Sequence, residues 1–508
     1  MEKAGKTNKG INGLFVIVML ALGLLARWLL FEFQSGDFVS FLSGWMKECS
    51  IAGGWAYVAI DPLRSSASSF NYGCMYQYVI CILSMFRGTL PDLYLIKIVS
   101  VLFDVLCAAA AAGIVYEVSE KDARKSAVAF AVVMALPSVV LNSGAWAQAD
   151  SIYTFFLLAA LWMCLKEKHF LTWVFFGLSV SLKLQALFLL PFLVMAWLLK
   201  KTRLRYALAG IAAYLLTMLP AYLLGRPVYS LMEVYTSQVG LYTQLSMNYP
   251  NIYTVIPDNV DVWLQQMLIP AGVIITLMLL AILAYVVYTG RTRVTKLFLL
   301  TLAVFSMELV VFCLPVMHER YGYAAGILAI LYGLFGAKRF SCAVGIEALT
   351  LATYARFLFS STVIKLYPLA AVLLLILLII GWDLWAQMKE ESHTEEDKGE
   401  TSVDFTASEY LSEAAAAGVP RVSDVHQAME EGIDLKLQPQ EGDAPEDVMN
   451  LDELGVPTVS KVTDAADFTI PVPDSSTERD RRMPEQETGE YHAPTLEELF
   501  GAEYATDR

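Results

Sequence analysis

Apolar runs long enough to cross a lipid bilayer recur along the chain from Ile11 to about Gln387. Each crossing needs about 20 predominantly apolar residues, a length set by the thickness of the hydrocarbon layer. Clusters of Lys and Arg punctuate the runs: Lys3/Lys6/Lys9, Lys121/Arg124/Lys125, Lys166/Lys168, Lys200/Lys201/Arg203/Arg205, Arg291/Arg293/Lys296, Lys338/Arg339 and Lys389. Such clusters mark cytoplasmic loops. With all of them in the cytoplasm, an even number of spans must join each consecutive pair, and two fit every time. The pattern predicts an all-α polytopic membrane protein with about twelve transmembrane helices and both termini in the cytoplasm. The first run follows three lysines, as a signal peptide does. No convincing small-residue cleavage site comes after it, so it reads as a retained anchor.

One segment sets the register of everything downstream. Met75–Phe86 is apolar but short. If it and the next run both crossed, Lys121–Lys125 would fall outside and every later cluster would invert. It therefore reads as an interfacial helix, with Pro91–Tyr116 as the second span. The outer face then collects Glu32–Leu90 with its interfacial helices, Asn142–Asp150, the Lys183–Gln185 apex, Gly225–Gln266 and Pro315–Tyr323. The inner loops are short and basic. Phe170–Leu182, about 13 residues, makes roughly 20 Å of helix against a hydrocarbon core of about 30 Å. The apex Lys183-Leu184-Gln185 is then expected below the outer surface, lining a cavity or touching protein. The alternative is a different boundary, with Lys183 snorkelling to the headgroups.

Composition divides the chain. Over 508 residues, 56% are hydrophobic, the mean hydropathy is +0.52 and the net charge is −14. Residues 389–508 hold 31 acidic and 9 basic side chains, a net of −22, whereas residues 1–388 hold 27 basic and 19 acidic, a net of +8. Residues 1–388 are therefore expected to form the membrane domain, with outer loop 32–90. Residues 389–508 read as an acidic cytoplasmic tail, too poor in apolar side chains to offset chain entropy and so expected to be disordered. Within it, Ala407–Ala417 and Pro494–Tyr504 could form transient helices, and the second could dock a cytoplasmic partner. Of the seven cysteines, Cys81, Cys107, Cys164 and Cys313 lie in apolar runs as small core residues. Cys49 and Cys74 share the first outer loop, and a disulfide between them is left open.

Several polar groups interrupt this apolar plan. The tract NSGAWAQADSIYT, Asn142–Thr154, carries Asn142, Gln148 and Asp150 beside Trp146. Such groups are costly near a bilayer unless they serve a site. Asp37 follows the first span in FEFQSGDFVSFLSGW. Phe38, Phe41, Leu42 and Trp45 come after it at helical spacing, so it reads either as a general base near a helix N-terminus or as that helix's N-cap. Asp150 has the same two readings, with Ser151 competing as cap. PVMHERYGY, Pro315–Tyr323, sets His318, Glu319 and Arg320 together between two spans, with Tyr321 and Tyr323 as aromatic company. Arg suits bidentate phosphate binding. The alternative is an interfacial anchor. Asp104 and Glu308 lie inside spans and should face the bundle interior, for structure or for a substrate path. There is no phosphate-cradling GxxxxGK[ST] loop, no zinc-type Cys/His spacing, no G-x-S-x-G elbow and no soluble nucleotide-sugar domain.

Taken together, the Asp of the first outer loop, NSGAWAQADS, SLKLQALFLLP and MHERYGY resemble the GT-C superfamily of integral-membrane glycosyltransferases. Within it they look most like bacterial relatives of the GPI-anchor mannosyltransferases. The resemblance covers about residues 11–385. It implies that Asp37 is the catalytic acid of the first outer loop and that Asp150 is the second acid, near the acceptor or the donor phosphate, in company with Gln148 and Trp146. Lys183, Gln185, His318 and Arg320 fall on positions expected around the donor phosphate, with Glu319, Tyr321 and Asp104 in support. Many members have two adjacent acids in the first loop, whereas Asp37 stands alone, with Glu32 five residues earlier. No cofactor is implied with certainty, and a divalent metal is left open.

The activity implied is transfer of a hexose, mannose first, from a polyprenyl-phosphate sugar to a glycolipid, polymer or protein acceptor, by one inverting displacement at the extracytoplasmic face of the cell membrane. Membrane lipids are the expected surroundings, and nothing points to nucleic acid. The competing readings are a transporter or lipid-linked sugar flippase, against which stands the lack of an internal repeat, and a scaffold for envelope assembly.

Overall fold

The computed structural model describes residues 2–61, 70, 72–236, 244–257, 260–290, 294–360 and 365–400. The expectations for the tail beyond residue 400, including its two short helices, fall outside the described residues. The described chain is helical nearly throughout, as the apolar pattern requires. In order come α1 (Glu2–Trp28), α2 (Ser43–Ile51), α3 (Cys74–Ser84), α4 (Asp92–Val118), α5 (Ala123–Ala135), α6 (Pro137–Val140), α7 (Asp150–Leu165), α8 (His169–Leu182) and α9 (Leu190–Leu198). Then follow α10 (Ala207–Leu223), α11 (Val228–Thr236), α12 (Val262–Thr289), α13 (Lys296–Cys313), α14 (Tyr323–Gly333), α15 (Ala337–Leu358) and α16 (Leu366–Glu400).

Among the described residues, five helical segments are long and apolar enough to cross a membrane: Asp92–Val118, Leu204–Leu223, Val262–Thr289, Lys296–Cys313 and Leu366–Lys389. A sixth candidate is Ala123–Ala135 with Pro137–Trp146, bent by 47°. Pro137 explains the break, since proline removes a helical N–H and pushes the preceding residue out of helical geometry. Shorter apolar helices are also present, among them Asn12–Trp28, Asp150–Leu165 and His169–Leu182. The segment expected at the interface is α3, and its 11 residues extend only about 16 Å.

Burial sorts the helices. Nearly every residue of α13 and all of α14 are buried. By contrast α10, α12 and α16 leave large apolar side chains exposed, such as Leu216, Leu277 and Leu378. An apolar surface this extensive belongs against lipid. Helices α8 and α10 touch backbone to backbone: a Cβ on Gly177 would stand 2.1 Å from the Gly210 carbonyl oxygen, so only glycine fits.

Three polar devices fix the segments around the site. Lys97 of α4 is buried and its ammonium donates to the carbonyls of Leu30, Phe31 and Phe33, closing the orphaned end of α1. Asp104, also on α4, takes Arg27 Nε at 2.7 Å and the Ser143 hydroxyl at 2.5 Å, with both members of the Arg27–Asp104 pair fully buried. Glu347 of α15 accepts from the Ser138 N–H and hydroxyl, both at 2.8 Å, and so caps α6. A two-residue parallel pair then joins β1 (Ser246–Met247) to β2 (Met317–His318). Val316, just before β2, has φ of 62°, a left-handed conformation that a β-branched residue rarely adopts.

The cysteines are arranged otherwise than the open Cys49–Cys74 pairing. Cys49 Sγ lies 2.7 Å from Cys81 Sγ, because α2 and α3 pack side by side, while Cys74 Sγ receives Arg226 at 3.9 Å.

Candidate active site

Asp37 stands in the first helical turn after α1, at φ −64° and ψ −35°, and makes no capping bond. The cap is Ser35: its hydroxyl oxygen accepts from the Phe38 N–H at 3.2 Å and donates to the Trp146 carbonyl at 2.8 Å. A serine three residues before its N–H partner is an ordinary cap spacing. The capping alternative for Asp37 is thereby removed, and its carboxylate is used elsewhere.

That carboxylate faces the polar tract. Trp146 Nε1 donates to Asp37 Oδ2 at 2.9 Å and Gln148 Nε2 donates to the same oxygen at 2.5 Å. Arg320 Nη1 stands 3.7 Å from it, and the guanidinium lies 5.6 Å from the Trp146 ring centroid. The indole is held from behind by Phe357, stacked at 4.8 Å, and by Tyr354, edge-on at 5.0 Å. The backbone turns at Ala147, whose φ of 64° is unusual outside glycine. That turn lets Trp146 and Gln148 reach one acceptor.

Asp150 heads α7 but does not cap it either. Lys183 Nζ meets Asp150 Oδ1 at 2.5 Å, and Asn142 Nδ2 donates to Asp150 Oδ2 at 3.0 Å. Lys183 lies at the break after α8, in extended conformation, with only 10% of its side chain exposed. Lys183 and Gln185 at the apex are thus largely buried within the protein. Burial by itself pulls the Lys183 ammonium toward neutrality, but the charge and hydrogen bond of Asp150 together with Tyr72 more than offset this and raise its pKa. The ammonium also lies 5.3 Å from the Tyr72 ring and 5.8 Å from that of Tyr153.

The His318–Arg320 loop comes last. Arg320 Nη1 bonds Glu319 Oε1 at 2.7 Å, and His318 Nδ1 lies 3.8 Å from Glu319 Oε2. Burial pushes the Glu319 carboxyl up, yet His318 and Arg320 together bring it below the usual carboxylate range. Tyr321 packs on His318 at 4.9 Å.

Lys183, Gln185, His318 and Arg320 all open onto one cavity of about 660 Å³. Tyr72 and Tyr321 stand at the same polar end. The rest of the wall is apolar: Leu187 and Val194 of the α8–α9 region, Leu277 and Leu280 of α12, and Val310 and Leu314 at α13. The Arg320 Nε–H and the Gln185 Oε1 are buried and have no hydrogen-bond partner among the described residues. Two such groups beside two cations suit an anion that also accepts hydrogen bonds and carries donors.

The expected residues thus separate into groups. Trp146 and Gln148 attend Asp37 rather than Asp150. Asp104 is not on the cavity; it braces the tract by accepting from Ser143, and it also accepts from the Tyr323 hydroxyl of α14 at 3.4 Å. Glu308 is fully buried, and neither carboxylate oxygen has a hydrogen-bond partner among the described residues. Ser35, Tyr72, Tyr354 and Phe357 were not singled out in the sequence; Ser35 alone had a local signal, its spacing to Phe38. For a divalent cation the fit is poor. Asp37 and Asp150 are each engaged by cationic or N–H donors, and no three His, Cys, Asp or Glu side chains converge among the described residues.

The stretch that supplies the tract, the apex and most of the cavity wall is similar to a family of GT-C-type membrane glycosyltransferases. Its match is to glycosyltransferase family 87, over residues 70–315. Asp37 lies before that stretch and His318–Arg320 just after it. No curated protein matches the chain.

Proposed function

We propose that the chain transfers a hexose, with mannose first among the candidates, from a polyprenyl-phosphate donor to an acceptor on the extracytoplasmic side, both termini being cytoplasmic. One observation carries this reading: a single cavity sets Lys183, His318 and Arg320 at one end and a long apolar wall at the other. A lipid phosphate has that shape, with an anionic head and a hydrocarbon tail. Val273 to Ala284 of α12, both on the wall, span about 16 Å of helix, enough for several isoprene units.

In this reading the donor phosphate lies at Arg320 and Lys183. The unpartnered Arg320 Nε–H gains an acceptor, and the ammonium of Lys183, with three donors, shares itself between Asp150 and the phosphate. Asp37 is the base. Trp146, Gln148 and Arg320 all address Oδ2, which leaves Oδ1 for an acceptor hydroxyl. The hydroxyl oxygen attacks the anomeric carbon as its proton passes to Asp37. The bond from that carbon to the phosphate oxygen breaks, and its electron pair leaves with the lipid phosphate. Cations fixed where that charge appears lower the barrier most. One displacement inverts the anomeric centre.

The test uses the full chain in lipid nanodiscs with radiolabelled polyprenyl-phosphate hexoses. Acceptor-dependent release of polyprenyl phosphate with inverted product supports the reading. Passage of the sugar lipid across a vesicle membrane without bond cleavage makes the chain a flippase instead.

A further inference from the structure

Gln185 differs in kind from its neighbours at the head of the cavity. It lies two residues after Lys183, in the short helical turn Leu184–Leu189. It opens on the cavity with Lys183, His318 and Arg320, yet only 7% of the residue is exposed. Its Oε1 is buried and has no hydrogen-bond partner among the described residues. A buried acceptor without a donor is costly, and a bound molecule that brings one removes the cost. The wall beside it supplies none, since Leu182, Leu184, Leu187 and Phe188 are hydrocarbon. The two cations nearby already face carboxylates: Lys183 meets Asp150, and Arg320 meets Glu319.

The phosphate of a polyprenyl-phosphate sugar is a diester with one negative charge and no O–H. Its oxygens accept hydrogen bonds and donate none. They suit Lys183 and the unpartnered Nε–H of Arg320. Against Gln185 Oε1 they would set lone pair against lone pair. The hexose is the part of the donor that carries hydroxyls, which both donate and accept. We propose that Gln185 reads the sugar of the donor: its Oε1 accepts from one hydroxyl of the transferred hexose, while its Nε2 donates to the oxygen of an adjacent hydroxyl. The proposal rests on the transferase reading above, and it moves Gln185 from the phosphate, where the family resemblance put it, to the hexose. An amide has one acceptor and two donors to offer such a pair. A sugar lacking the matching hydroxyl would leave Oε1 buried and unpaired again, which is the physical basis for rejecting it.

The test measures binding to the full chain in lipid nanodiscs, with probes of equal tail length. These are polyprenyl phosphate without a sugar, polyprenyl-phosphate mannose, and the monodeoxy analogues of the latter at C2, C3, C4 and C6. Q185M keeps the length of the side chain and removes the amide. It should bind the mannosyl lipid about tenfold more weakly than the wild type does, and the bare lipid phosphate within about twofold. K183M should weaken both. In the wild type, loss of one hydroxyl, or of either of two adjacent ones, should cost about tenfold, and in Q185M the same losses should cost less than about threefold. Equal effects on the bare and the sugar-bearing lipid in Q185M, and in Q185L as a second apolar variant, make Gln185 a phosphate ligand or a packing residue and overturn the assignment. A deoxy series with the same profile in wild type and variant overturns it too. Cleavage is read separately: if the lipids bind as expected but none releases polyprenyl phosphate to any acceptor, the transferase reading fails while the sugar contact stands.

Discussion

Trp146 Nε1 donates a 2.9 Å hydrogen bond to Asp37 Oδ2 across 109 residues of sequence. The bond joins the helical turn that follows the first helix to the turn before the seventh, and it occupies one of the two carboxylate oxygens. Asp37→Asn keeps the shape but removes the basic oxygen. We predict a loss of transfer of about 10²-fold to 10⁴-fold, with unchanged yield and melting temperature in detergent. A variant retaining near-normal turnover sinks the assignment of the base. Trp146→Phe keeps the stack on Phe357 and should cost turnover without removing it.

Lys183 and Asp150 form a nearly buried pair. Removing one partner strands the other, at a cost of about 3–5 kcal/mol when burial is complete. Asp150→Asn should therefore lower stability and weaken donor binding together, because Lys183 loses its anchor. Lys183→Met alone should raise the donor KM more than it lowers kcat with saturating donor. A double-mutant cycle read by thermal unfolding should give a coupling well above the few tenths of a kcal/mol expected for independent sites.

The apolar wall makes its own prediction. Leu277→Trp and Leu280→Trp place bulk in the tail region of the cavity. Each should raise the KM for a long-chain polyprenyl donor while sparing a donor with a one- or two-isoprene tail. Equal effects on both donors would show that the tail lies elsewhere.

Arg27 and Asp104 are wholly buried, and Asp104 also receives Ser143. Asp104→Leu should leave the Arg27 charge unsatisfied and cost about 3–5 kcal/mol, seen as a lowered melting temperature. Activity at a permissive temperature should fall through kcat, since the tract carrying Trp146 loosens, with donor KM little changed. A donor KM raised tenfold would place Asp104 on the substrate path.

Glu319 gives the pH dependence. Its folded carboxyl titrates below the usual range because His318 and Arg320 favour its charge. A depressed carboxylate stabilises the fold above its unfolded pKa of about 4.3, and that contribution is lost as pH falls through the folded value. Melting temperatures between pH 3 and 6 should fall on the acid side in the wild type and fall less in Glu319→Gln. Parallel curves would assign the acid limb to other groups.

Much of this was legible in the chain itself. The apolar runs and basic clusters carry the all-α membrane architecture because a bilayer imposes length and polarity locally, residue by residue. The short run Phe170–Leu182 likewise pointed to a Lys183 in contact with protein. The polar islands around Asp37, Asn142–Asp150 and His318–Arg320 stood out because each is costly where it lies. What each island does was decided only in three dimensions. Asp37 and Asp150 each admitted a helix-cap reading, and neither makes a capping bond: Ser35 takes one cap, and Lys183 with Asn142 engages the other carboxylate. Trp146 and Gln148 sit nearer Asp150 in sequence but turn to Asp37 at Ala147. Hydrogen bonds have a reach of about 3 Å and no memory of chain distance. Which donor meets which acid therefore depends on how α1, α4, α7 and the His318 loop pack, and that packing follows from the whole buried core rather than from any one segment.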